Sequence, residues 1–430
     1  MNSIVLKSAQ LSDGRVVDIK IASGKIAEIG TGLNADQVVD CAGLIALAGF
    51  VDLHTHLREP GYEASETVLT GTQSAALGGF TAVHAMANTD PVADTAGVVE
   101  QIRSLGIAAG YVEVFPIGAV TVGLEGKQLA ELGAMAESKA AVKVFSDDGK
   151  CVSDPLLMRR ALEYVKAFGG VIAQHAQEPR LTEGAQMNAG LVSSELGLAG
   201  WPAVAEESII ARDVLLAEHV GSRIHICHLS TKGSVEIVRW AKSRGINVTA
   251  EVTPHHLLLT DELARSYDPI YKVNPPLRTE NDVLALREAL IDGTIDIVAT
   301  DHAPHPIEAK DCEWNAAAFG MVGLETAASV AQLVLIDSGK SDWKRLESVL
   351  STKPAEIAGD ENHGAIAVGR FANLTLIDPK VERTIARQTA SKSVNNPYAD
   401  RVLPGAVVHT IFNGRFTVLN GALQNQEEIA

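Results

Sequence analysis

Eight apolar, β-branched runs recur through the middle of the chain: FVDLHTH from Phe50, FTAVHAMAN from Phe80, YVEVFPIGA from Tyr111, AVKVFSDD from Ala141, GVIAQH from Gly170, RIHICH from Arg223, INVTAEVT from Ile246 and IDIVATDH from Ile295. Near-continuous apolar runs of this length read as strands covered on both faces. Helix-like stretches separate them. DPLLMRRALEYVKAFGG, for example, opens on Asp154 and Pro155 and stops at the paired glycines Gly169 and Gly170, the punctuation expected of a helix. Eight strand–helix units over about 310 residues predict a (β/α)8 barrel, an α/β architecture. A doubly wound open sheet would carry a glycine-rich phosphate loop after its first strand, and no such loop is present.

The two ends have a different texture. VVDIKIASGKIAEIG alternates in period two around Ser23-Gly24, and VVHTIFNGRFTVLNG does so around Asn413-Gly414; both are hairpin signals. The expectation is one small composite β-sandwich domain from residues 1–47 plus 361–430, attached to a barrel spanning 48–360.

Composition narrows the function. The 430 residues carry a formal charge of −17, which argues against nucleic acid as the main partner. An anionic small molecule needs only one or two local cations and stays open. The four cysteines form no C-x-x-C pair, so neither a disulfide framework nor a thiolate zinc site is expected. No apolar run approaches the roughly 18 residues of a membrane span, and MNSIVLKSAQLSDGR lacks a signal-peptide core. A cytoplasmic protein without a membrane partner is the expectation.

The reactive groups of a (β/α)8 barrel sit at the C-terminal ends of its strands. Run one ends in His54-Thr55-His56, run four in Asp147-Asp148, run five in His175, run six in His228 and run eight in Asp301. Period two puts His54 and His56 on one side of their strand. A single histidine at a strand exit is ordinarily a hydrogen-bonded side chain, and His84 and His225, earlier in their runs, fit that description. Five strand ends together predict a metal centre. Imidazole and carboxylate without thiolate favour Zn²⁺, with Mn²⁺ or Co²⁺ as substitutes. The donors exceed what one tetrahedral ion needs, so of one or two ions, two sharing a carboxylate are favoured.

Taken in order, VDLHTHLREPG, MANTDP, FSDDG, HICHLST, EVTPHHL, VNPPLR, ATDHAPH and FGMVGLET resemble the type I dihydroorotases of the amidohydrolase superfamily, along essentially the whole chain. H-x-H is shared across that superfamily, whereas HLREPG, NTDP and FSDDG are narrower. The resemblance implies that His54, His56 and Asp301 bind one ion and that His175 and His228 bind the second. It implies a bridging aspartate after strand four, placed at Asp148 rather than Asp147. Other branches bridge with a carbamylated lysine, and Lys143 is the alternative here. Implied too is a zinc-dependent hydrolase of cyclic amides. It would interconvert N-carbamoyl-L-aspartate and (S)-dihydroorotate in de novo pyrimidine (UMP) synthesis. A water activated between the ions would attack the ring carbonyl, with Asp301 as general acid and base.

Arg58, Asn88 and His305 match the family's substrate-binding positions, Arg58 as the partner of the substrate carboxylate. Asn274, and the backbone near Phe319-Gly320, would contact the ring. His255 and His256 are placed outside the ligand set. DHAPHPIEAKDCEWNAAAFGMVG is a loop able to cover the site, with Cys312 an ordinary member of it. A homo-oligomer is expected, and aspartate transcarbamoylase is a candidate partner. Two other readings stand beside this one: another cyclic amidohydrolase (dihydropyrimidinase or allantoinase), or a non-catalytic homologue that scaffolds aspartate transcarbamoylase.

Overall fold

The computed structural model describes residues 3–425. Residues 1–2 and 426–430, the extremities of the expected composite domain, lie outside the described residues.

All eight runs form parallel strands, numbered one to eight here: Phe50–Thr55, Phe80–Ala85, Glu113–Pro116, Val144–Phe145, Val171–Gln174, Ile224–Ile226, Val248–Val252 and Ile297–Val298. Strands one to three pair in order, and so do strands four to eight. Two bridges join these arcs into a closed barrel. Gly118 pairs with Phe145, its N–H donating to the Val144 carbonyl at 3.2 Å. Thr55 pairs with His302, and the His56 N–H donates to the His302 carbonyl at 2.9 Å.

Alternation along the strands decides most of what faces inward, and it is interrupted in strand one, where the register shifts between Asp52 and Thr55. Val51, Leu53, Ala82, Ile117, Val144, Val171, Ala173, Cys227, Ile297 and Ala299 pack together in the barrel interior. Their neighbours Phe50, Val83, Phe145, Ile172, Ile224 and Val298 face the surrounding helices. The helix Lys353–Ala358 supplies Ala355, Ile357 and Ala358 to the interior cluster. It closes the end where the strands begin: Arg223, just before strand six, donates to the Ile357 carbonyl at 2.9 Å.

The two chain ends build one nine-stranded sheet. Ile45–Ala48 pairs in parallel with Ile4–Leu11 and antiparallel with Leu374–Thr384, stitching the N-terminal strands to the C-terminal ones. The sheet bends over a core of its own that includes Leu6, Ile19, Ile21, Ile26, Leu374, Ile411 and Phe416. Its two hairpin turns meet. Ala372 N–H donates to the Gly24 carbonyl at 2.9 Å, and Gly414 N–H to the Ala372 carbonyl at 3.0 Å. A side chain on Gly414, at φ +79°, would lie 2.6 Å from the Gly24 Cα, so only glycine fits there. Among the described residues, no helix is long and apolar enough to cross a membrane.

Candidate metal centre

The C-terminal ends of strands one, four, five, six and eight deliver His54, His56, Asp148, His175, His228 and Asp301 to one buried point. Asp148 stands at its middle. Its Oδ1 lies 3.3 Å from His54 Nε2, 3.1 Å from His175 Nδ1 and 3.4 Å from His228 Nε2, while its Oδ2 lies 3.3 Å from His56 Nε2. Asp301 Oδ1 lies 3.1 Å from His56 Nε2 and 3.4 Å from His54 Nε2. Two sets of donors suited to an ion share Asp148: His54 and His56 on one side, His175 and His228 on the other.

Hydrogen bonds behind the rings fix which nitrogen faces this point. His54 Nδ1 donates to Glu251 Oε1 at 2.6 Å, and His56 Nδ1 donates to Asn88 Oδ1 at 3.0 Å. With those protons committed, a neutral His54 or His56 presents its Nε2 lone pair to the carboxylates of Asp148 and Asp301. His175 is mirrored: Nε2 donates to Gln177 Oε1 at 2.8 Å, turning Nδ1 inward. Lone pairs and carboxylates converging out of water repel unless a cation lies among them. The donor set therefore fits a divalent ion, and the bonds behind it are those that orient metal-binding imidazoles. The same convergence of acids acts on the titration of these groups. Burial alone would lower the pKa of His54, but Asp148, Glu251 and Asp301 hold it well above the ordinary value. Burial would likewise raise Asp301, yet His54 and His56 bring it to about 2.

Three residues at this rim hold left-handed backbone that glycine would adopt more cheaply: Arg58 (φ +63°), His228 (φ +30°) and Asp301 (φ +44°). Such strain concentrates at functional positions.

The neighbouring aspartates do other work. Asp147 accepts from the Val120 and Thr121 N–H groups at 2.8 and 3.0 Å and from the Thr121 hydroxyl, which ties the ends of strands three and four together. Asp52 accepts from the Thr300 N–H at 2.9 Å and from the Thr55 and Thr300 hydroxyls, fastening strand one to strand eight. Lys143 corrects the alternative bridge. It precedes strand four and shares the outward face of Phe145; its exposed ammonium rests on the Phe168 carbonyl at 3.4 Å, away from the imidazoles. The inward position at that level belongs to Val144.

The groups expected to meet substrate gather beside the cluster. Arg58 is partly buried; its Nε donates to the Pro304 carbonyl at 3.1 Å, and among the described residues it has no carboxylate partner. A partly buried guanidinium without a counter-ion suits an incoming anion. His305 Nε2 donates to the Phe319 carbonyl at 2.7 Å, and burial, with Arg58 and Lys310 nearby, draws its pKa down to about 3. Asn88 spends its oxygen on His56. Asn274 Nδ2 donates to Gln177 Oε1 at 3.2 Å and so supports the residue that orients His175; its own Oδ1 is buried without a partner among the described residues. The backbone expected to touch the ring is engaged within the protein: Phe319 O by His305, and the Gly320 N–H by the Lys272 carbonyl at 2.9 Å. His256 is bonded to Thr253 and to the Pro275 carbonyl, at 2.8 and 3.2 Å.

Glu251 is the main residue that sequence reasoning passed over. Its Oε1 accepts from His54 and from the His228 N–H at 3.1 Å, and its Oε2 from His225 Nε2 at 3.0 Å. The signal was available, since a glutamate within an apolar barrel strand needs a polar partner inside. Asn395 was equally missed. It arrives from the C-terminal segment, donates to the Ala303 and Gly320 carbonyls at 2.9 and 3.1 Å, and accepts from the His305 N–H at 3.3 Å. Nothing local in SVNNPYAD announces that long-range role.

Barrel, composite sheet and histidine–aspartate cluster together are those of the cyclic amidohydrolases. The L-hydantoinase (dihydropyrimidinase) of Arthrobacter aurescens superposes with a TM-score of 0.87 at 25% identity, covering 99% of this chain and 98% of that one. The dihydropyrimidinase of Brevibacillus agri gives 0.84 at 23% identity over 98% and 96%. A dihydro-orotase-like family profile matches residues 43–234. The dihydroorotase of Leifsonia xyli subsp. xyli is 67% identical over 98% of this chain and 97% of its own, and that of Mycobacterium tuberculosis 51% over 96% and 97%. The chain belongs to the dihydroorotase family.

Proposed function

We infer that the chain interconverts N-carbamoyl-L-aspartate and (S)-dihydroorotate, releasing or consuming water, as a step of de novo UMP synthesis. The observation that carries this is the pairing of 67% identity to a dihydroorotase over nearly the full chain with a partly buried Arg58 beside the cluster that has no carboxylate partner among the described residues. Hydantoins and uracil-type rings lack the carboxylate that such a guanidinium would neutralise. This favours dihydroorotase over dihydropyrimidinase or allantoinase, despite the shared fold.

We propose Zn²⁺ as the resident ion, two per chain. His54, His56 and Asp301 would hold one, His175 and His228 the other, and Asp148 both. Bound divalent ions lower the pKa of water and polarise a carbonyl oxygen. The chain's own residues do the rest. Arg58, with Asn88 and His305, grips the substrate carboxylate and turns the ring so that its amide carbon faces the cluster. Asn274 would contact the ring. Asp301, ionised at neutral pH, takes the proton of the attacking water and hands it to the departing ring nitrogen. In the reverse direction it takes the ureido proton as the ring closes. Every ligand position is filled, which weighs against a purely scaffolding homologue.

Residues 1–47 with 361–430 as one unit carrying the barrel of 48–360, a homo-oligomer, a cytoplasmic location and association with aspartate transcarbamoylase belong to the same proposal. Sizing the purified chain with and without that enzyme addresses the assembly. The activity is tested by ring opening of dihydroorotate, hydantoin and allantoin in parallel. Turnover confined to dihydroorotate is expected; preference for a ring without a carboxylate overturns the reading.

A further inference from the structure

Two buried lysines close the loop that follows strand eight. Lys272 and Lys310 are 2% and 8% exposed, yet neither reaches a carboxylate among the described residues. Their ammonium groups donate only to backbone carbonyls, and they do so reciprocally. Lys272, from the segment leading to Asn274, reaches into the loop to Trp314 O at 2.7 Å and Asn315 O at 3.3 Å. It also lies over the Phe319 ring, 4.4 Å from its centroid. Lys310, from the loop, reaches back to Lys272 O at 3.0 Å and to Ala318 O at 2.8 Å. The Lys272 carbonyl also takes the Gly320 N–H, so loop and segment are joined from both sides at one residue.

The arrangement is costly in itself. Burial draws Lys272 down to about 8, and burial with the neighbouring Lys272 draws Lys310 to about 7; Asp268 and Cys312 nearby offset this only in part. Methionine fills nearly the same volume without that cost, and uncompensated buried charge is ordinarily replaced at no loss of stability. What ammonium groups add is direction, since each has several donors able to hold two carbonyls in a fixed relation: two of the loop for Lys272, and one of the loop and one of the segment for Lys310. One of them, Ala318 O, immediately precedes Phe319, whose own carbonyl fixes the His305 ring.

We propose that Lys272 and Lys310 are positioning residues that hold the loop bearing His305 and Phe319 against the Asn274 segment, so that the substrate carboxylate meets a preassembled pocket. This rests on assigning Arg58 and His305 to that carboxylate. Neither lysine touches substrate.

The test uses the full-length, metal-loaded enzyme with Lys310→Met, Lys272→Met and Lys310→Arg, beside Arg58→Ala. Each methionine variant is expected to raise KM for dihydroorotate about tenfold while kcat stays within about threefold, the signature of lost ground-state positioning. Backbone amides at 309–320 should lose hydrogen-exchange protection, while barrel-strand amides keep theirs. Lys310→Arg should restore most of both. Unchanged KM and unchanged loop protection in both methionine variants overturn the proposal. So does a fall in protection spread across the barrel with kcat and KM moving together, which marks a role in folding alone. Arg58→Ala separates the two layers. If it leaves KM unchanged, the carboxylate assignment fails; if it raises KM while the lysine variants do not, only the loop proposal fails.

Discussion

His54 and His84 stand on adjacent strands, both buried within the barrel, and their surroundings drive them in opposite directions. His54 is ringed by Glu251, Asp148 and Asp301, which hold its pKa well above the ordinary value against the pull of burial. His84 lies toward the barrel floor. It donates to the Asp52 carbonyl at 3.1 Å, stacks on Phe115 with centroids 5.0 Å apart, and is drawn by burial down to about 4. Burial alone therefore says little about chemistry. The acceptors that converge on a ring, and the bond that fixes its other nitrogen, separate a metal ligand from a core histidine.

The largest effect should follow from removing the shared carboxylate. Asp148→Ala is expected to cost turnover of dihydroorotate at least about a thousandfold, the scale of losing an essential element of a catalytic centre; steady-state assays at saturating metal read this. Retained turnover would dissolve the contrast between mouth and floor. Next comes Glu251→Gln, which keeps the shape but weakens the anchor of His54. Metal affinity should fall about 10- to 100-fold, measured by competition with a chromophoric chelator, while the fold stays intact by circular dichroism. Chelation of the wild-type chain should then lower its stability by about 3 kcal/mol relative to protein in metal at a hundred times the dissociation constant, visible as a fall in Tm.

The smallest effect tests the floor. His84 has a folded pKa below its unfolded one, so its contribution is complete above the unfolded value and is lost as pH falls. Between pH 7 and pH 5 the unfolded chain takes up this proton and the folded chain does not, costing about 2 kcal/mol. His84→Gln should remove that increment from the pH dependence of denaturant unfolding and leave metal content unchanged. Altered metal content would place His84 with His54 after all.

Much of this was legible in the chain because barrels write their sites at strand ends. Eight apolar runs gave eight strands, and the polar residue closing five of them gave the converging side chains. The choice of Asp148 over Asp147 lay in a register that periodicity could suggest, since neighbouring residues face opposite ways. Lys143 misled because a lysine in an apolar run reads as a polar residue inside a barrel. Its parity, shared with Phe145, points it at the helices instead. Glu251 and Asn395 were harder, because their meaning comes from partners 197 and 92 residues away, at His54 and Ala303. The lysine pair was invisible for the same reason: backbone carbonyls carry no sequence signature.

We propose that the mouth of the barrel is a metal centre built around Asp148. Metal analysis of the purified chain and of its Asp148→Ala variant, with dihydroorotate turnover measured on the same samples, tests it most directly. About two zinc equivalents per wild-type chain are expected, reduced in the variant together with activity. A metal-free wild-type chain that turns over dihydroorotate at full rate would contradict it.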